Sequence, residues 1–176
     1  MKWTTTLTIL PMIALSCFPM RGYAEDVPSI SPETVADHVY AVVQSHRAFY
    51  TTHVVQLLEE QGVAKSGGEW ATQKKTIPLP VQVINETSQM FSTKAMGLRY
   101  RLISLWPISQ KNSPRDQADK SSLEALGQRP ERPITRTVTI DGQTYFHAVY
   151  ADVAVSQACV ACHNTHPNSP KKDFQV

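Results

Sequence analysis

Cysteine is scarce in this chain: there are three in 176 residues, at positions 17, 159 and 162. So few thiols rule out a disulfide framework and a four-cysteine zinc site. An excess of charge of either sign is also missing. The formal net charge is +2, and Lys2 and Arg21 are the only charged residues ahead of Glu25. Without those two the chain carries fifteen basic and fifteen acidic side chains. That leaves no basic field for nucleic acid and no polybasic patch for anionic lipid. Past Met20 there is no second apolar run that could span a membrane. What remains is an ordinary globular composition, 41% hydrophobic and 18% charged, at a length that suggests one domain.

Residues 1–24 read as a targeting segment. Lys2 supplies the charged start, residues 3–20 are apolar and threonine-rich, and Gly22 and Ala24 put small residues where a signal peptidase reads. Cleavage after Ala24 gives a mature domain of residues 25–176 and places it in the periplasm. Two alternatives stay open. Residues 14–17 loosely resemble a lipoprotein site at Cys17, though alanine stands where leucine is usual. An uncleaved anchor would be short and interrupted by Pro11 and Pro19.

With Cys17 removed, the two remaining cysteines fall in one pentapeptide, CVACH, from Cys159 to His163. Two thiols separated by two residues and followed at once by histidine are the pattern of c-type haem attachment. Each thiol adds to one haem vinyl group, and the adjoining imidazole reaches the iron as proximal ligand. Two other readings of CxxC compete. A zinc site would have to recruit His163 and His166, which crowd against Cys162 and leave no loop to form a tetrahedron. A redox dithiol usually opens a helix inside a βαβ unit, and no such unit is evident. One covalent haem c on Cys159, Cys162 and His163 is therefore expected.

The sixth ligand has several candidates. Ser31, Pro32 and Glu33 form a helix start. Val35, Val39, Val42, His46, Phe49 and His53 then recur on one face, to a stop at Gly62. Such a helix, about 45 Å long, exceeds what one small domain needs and predicts a homodimer through it. His53 is the leading distal candidate and His46 the next, although either can be a partly buried histidine with no role at the iron. Residues 62–80 read as a loop, and a second helix follows from Val81 to just before Gly97. It carries Met90 and Met96, which can be core filler or iron ligands. Residues 98–106 read as a central strand ended by Pro107, and residues 121–126 as a short helix. His166 is the weakest candidate, three residues past His163 and followed by Pro167.

Residues 135–140, then Asp141-Gly142, then residues 143–153 read as a β-hairpin on a two-residue type I′ turn. That turn sets Ile140 opposite Gln143, Val138 opposite Tyr145 and Arg136 opposite His147. The haem is then tethered just beyond a sheet edge. Tyr145 and His147 lie on the strand leading to it, and His147 reads first as a sheet residue facing Arg136.

The stretch YADVAVSQACVACHNTHPNSPKKDF, with GLRYRLISLWPISQKNSP and HRAFYTTHVVQLLE upstream, closely resembles a bacterial family of extracytoplasmic PAS-like c-type haem domains. The likeness covers nearly all of the mature chain. Family members stand alone or form the sensory heads of chemoreceptors and histidine kinases. The resemblance implies an α+β fold, a PAS-like antiparallel sheet flanked by a long N-terminal helix and further helices. It supports Cys159 and Cys162 as thioether sites and His163 as proximal ligand. It also implies a variable sixth ligand, cysteine in one branch and methionine or water in another; the cysteine position falls near Gln82 here. Relatives continue past the equivalent of Val176 with a Gly-Asp turn and a strand. The sheet is thus expected one strand short, or the sequence a fragment. The functions this implies are a redox or gas sensor module working with a separate periplasmic partner, a periplasmic electron carrier, and, least favoured, a haem enzyme.

Overall fold

The computed structural model describes residues 29–94 and 97–176. The expected targeting segment, Cys17 and Met96 lie outside the described residues. Helix α1, Pro32–Phe49, begins as its sequence dictates: the Ser31 hydroxyl accepts the Thr34 N–H at 3.1 Å and Pro32 takes the first turn. The helix then widens into a π-helical stretch, Tyr50–Val55, before α2, Gln56–Glu60. Two neighbouring threonines act where it widens. Thr51 Oγ1 donates to the Arg47 carbonyl and Thr52 Oγ1 to the Ala48 carbonyl, each at 2.8 Å. Such back-bonding competes with the regular ladder and bends helices. Gly62, at φ +64°, ends the run.

The loop expected over residues 62–80 contains a two-residue parallel pair, β1 (Lys65–Ser66) with β2 (Thr76–Ile77). Helix α3, Pro80–Ser92, follows, shorter than its sequence pattern suggests. Gln82 secures its start: Oε1 accepts the Leu79 N–H at 2.9 Å, and Nε2 donates to the Gly68 carbonyl at 2.8 Å. Helix α4, Gln117–Gln128, is twice the length expected and is capped by Asp116, whose carboxylate accepts the Asp119 N–H at 2.7 Å.

The hairpin is β3 (Ile134–Ile140) with β4 (Gln143–Val149), in the register its turn demands: Ile140 faces Gln143, Val138 faces Tyr145 and Arg136 faces His147. Asp141 and Gly142 both have positive φ, +50° and +76°, as a type I′ turn requires. The central strand expected over residues 98–106 does not form. Among the described residues no strand pairs with it. Side chains engage it instead: the Ser88 hydroxyl donates to the Tyr100 carbonyl, and Arg101 pairs with Asp119. The fold is mixed α+β, and its antiparallel part, among the described residues, is one hairpin rather than a broad sheet.

After β4 the chain runs along α1. Tyr150 stacks on Tyr40 with ring centroids 4.3 Å apart and donates to Asp37 at 2.6 Å. Tyr40 donates to the Ala151 carbonyl at 2.9 Å, Gln44 to Asp152 at 2.9 Å, and Arg47 to the Val153 carbonyl at 3.3 Å. These contacts deliver the chain to the last helix, α5, Gln157–Thr165. The apolar core among the described residues is small: Val55, Ile84, Leu126, Val149 and Val160. Val160 belongs to α5, so the motif helix is anchored by the first of the two residues between its cysteines.

Candidate functional site

Helix α5 gives CVACH its geometry. In a helix, positions 159, 162 and 163 fall within about 100° of arc, so both thiols and the imidazole share one side. Cys159 is half-buried and 3.6 Å from the Ser156 hydroxyl, while Cys162 and His163 are exposed. Both thiols are free. Burial pushes the Cys162 thiol up, with Glu59 and Cys159 adding to the effect. Partial burial pushes His163 down, helped by Arg47 and His166 and opposed by Asp152. A neutral imidazole is the form that binds a metal.

The helix ends at His166, whose N–H reaches the Cys162 carbonyl at 3.0 Å. His166 itself is turned to the tail, its Nδ1 accepting the Asn168 N–H at 3.2 Å. Among the described residues no three potential ligands gather at metal distance. Cys159, Cys162, His163 and His166 therefore do not form the tetrahedron that zinc needs. Two free thiols and an exposed imidazole on one helical side do fit a covalently tethered haem.

The surroundings come from three segments. Arg47, on α1, has a side chain only 10% exposed, pairs with Asp152 at 3.0 Å and acts on His163. Glu59, on α2, acts on Cys162 and also binds the Ser66 N–H at 2.8 Å. From the C-terminal side, the Phe174 ring stands edge-on to His163, centroids 5.2 Å apart. Two hollows reach this neighbourhood. A groove of about 580 Å³ between α1 and α3 is lined by Val39, Val42, Val83, Ile84 and Phe91 and extends to Arg47. A second, of about 560 Å³, lies between Glu59 and Lys65, Lys74 and Lys75.

The distal candidates are scattered. His53 sits in the π-helical stretch, exposed, its ring 5.0 Å from Phe49. It is not among the groups acting on His163. His46 and Met90 line the groove, Met90 being 62% exposed. His147 belongs to a separate cluster with Arg136 and Asp119, and its Nδ1 is buried without a partner. Gln82, near which the resemblance sets one branch's cysteine, is engaged by Leu79 and Gly68. Sequence reasoning missed Arg47, Asp152, Glu59, Asn164 and Phe174. Only their position on the quoted stretches HRAFYTTHVVQLLE and YADVAVSQACVACHNTHPNSPKKDF set them apart.

In comparison with known proteins, the family model described as Tll0287-like matches residues 23–175. No curated protein matches the chain, and no solved structure does.

Proposed function

The chain belongs to the Tll0287-like family, and from that premise we propose that it is an exported, single-haem c-type domain serving as a redox or small-ligand sensor module. The observation that carries this reading is the placement of Cys159, Cys162 and His163 on one side of α5, with both thiols free. Cys159 and Cys162 would hold the haem by thioether bonds, each thiol hydrogen and sulfur adding across a vinyl double bond. His163 would be its proximal ligand. A bound haem supplies one-electron chemistry and an iron site for gases such as carbon monoxide or nitric oxide. The chain's own part is to fix the imidazole, set its charge surroundings through Arg47 and Asp152, and limit water.

The PAS-like assignment belongs to this proposal. It is supported by the antiparallel hairpin β3–β4 and by helix α1 packed against β4. The periplasmic location and a separate redox or signalling partner follow from the targeting segment and the sensor reading. The long helix carries a proposed homodimer. A second reading, a periplasmic electron carrier, rests on the same CVACH motif, because a tethered haem supplies one-electron chemistry. A haem enzyme is least supported, since no motif in the sequence marks the acid–base groups that an open distal site would need.

The first test is heterologous export with haem-maturation machinery. Wild type is expected to retain haem through denaturing electrophoresis, and Cys159→Ala/Cys162→Ala to lose it. Haem persisting on the double variant removes the assignment. The second test adds carbon monoxide to the reduced holoprotein. A spectral change supports a weak or exchangeable sixth ligand and hence sensing. An unchanged spectrum at saturating gas, relieved by His53→Ala alone, establishes a closed bis-histidine iron and favours the carrier.

A further inference from the structure

The residue after the motif histidine reaches across to the tail. Asn164 Nδ2 donates to the Phe174 carbonyl at 3.0 Å, and Asn164 Oδ1 accepts the Phe174 N–H at 3.0 Å. One side chain thus satisfies both backbone groups of a residue ten positions away, as a neighbouring strand would. The effect is to set the Phe174 ring edge-on to His163, at 72° between planes. The ring is supported from behind. Trp106 meets it edge-on at 6.1 Å, and Lys171 Nζ lies 4.8 Å from the Trp106 centroid and 5.5 Å from that of Phe174.

The turn between is also tied. The Ser169 N–H reaches the His166 carbonyl at 3.0 Å, Ser169 Oγ donates to the Lys171 carbonyl at 2.7 Å, and Lys172 Nζ donates to the His166 carbonyl. Ser169 is buried. The segment from His166 to Phe174 is therefore a closed loop whose far end returns to the ligand histidine.

We propose that Asn164 and Phe174 form a clasp that fixes the His163 ring plane and covers one side of it from water, so that they act as positioning residues for the iron. The inference rests on the haem reading above. An edge-on aromatic ring at this distance blocks rotation of the imidazole about its Cβ–Cγ bond, and two hydrogen bonds hold that ring in place. Hydrogen bonding and solvent access around an axial ligand set a haem's potential. Ferric haem carries one more positive charge than ferrous haem, so water admitted to the proximal side favours the ferric form.

The experiment measures midpoint potential and low-temperature EPR spectra of the purified holoprotein and its variants. Phe174→Ala and Asn164→Ala are each expected to retain covalent haem, broaden the EPR lines through a range of imidazole orientations, and lower the ferrous-to-ferric ratio at fixed potential threefold to tenfold. The upper figure corresponds to ~59 mV for one electron. Phe174→Tyr keeps the ring and is expected to match wild type. Lowered melting temperature with potential and EPR unchanged would assign the clasp a structural role only and overturn the proposal. If the alanine variants do not fold, the carbon-monoxide complex of wild type decides by NMR, where missing nuclear Overhauser contacts between the His163 and Phe174 rings would overturn it. Wild type lacking covalent haem would instead defeat the haem reading, a separate outcome.

Discussion

Asp119 is the one buried carboxylate among the described residues, 4% exposed. It receives Arg101 on one oxygen and Arg136 at 3.0 Å on the other, and also accepts the Arg115 N–H at 3.1 Å. It ties α4 to β3 and to residues 98–106. Asp119→Asn leaves two guanidinium groups sharing a neutral amide, and breaking such a buried pair costs about 3 kcal/mol. Urea unfolding is expected to show that loss; a change under 1 kcal/mol would mean water already serves the two arginines. His147 lies beside this cluster. Burial lowers its pKa from 6.5, with Arg136 and Arg101 acting the same way and Asp119 and Asp116 opposing. The unfolded chain therefore takes up a proton near pH 6.5, while the folded chain resists it until lower pH. Between those two values the unfolded state binds more protons, so stability falls as pH drops. His147→Gln is expected to flatten the decline in melting temperature from pH 6.5 to 5. An unaltered slope would place the titration elsewhere.

At the scale of elements, the hairpin shows how much two residues can decide. Gly142 sits at φ +76°, where an L side chain costs roughly 1–2 kcal/mol. Gly142→Ala is expected to lower the melting temperature by roughly 2–4 °C per kcal/mol lost. Ala at Gly127, which has open space around its Cβ direction and sits inside α4, is the matched control and should not lower it. The long helix shows the opposite. Its periodicity is continuous, yet the π-helical stretch at Tyr50–Val55 shifts the phase of everything after it. One side, with Tyr40, Gln44 and Arg47, holds residues 150–153. The predicted stripe is split: Val42 and His46 line the groove, and Phe49 and His53 face outward.

For the whole molecule, that outward surface is the proposed dimer contact. Phe49 is 62% exposed there, and the rim of the adjoining groove adds Val42 at 55% and Met90 at 62%. Light scattering of wild type at high micromolar concentration is expected to give twice the chain mass, and Phe49→Asp the single chain mass. A wild-type monomer under those conditions removes the dimer, leaving the site on α5 unaffected.

What the sequence determined by itself is local in its physics. The CVACH spacing marks two thiols and an adjoining imidazole as a haem-attachment motif, while the helix that sets them on one side came from the structure. Ser31-Pro32 starts α1, and Asp141-Gly142 sets the hairpin register, because capping and positive φ are properties of adjacent residues. Only the tertiary structure decided that residues 98–106 stay unpaired: their apolar pattern suits a strand, but Ser88 and Asp119 engage that segment from outside it. It also decided that Gln82 clamps a loop, that Arg47 pairs with Asp152, and that Asn164 holds Phe174. Each of these joins residues whose meeting depends on how intervening loops close, and no periodicity or spacing records that.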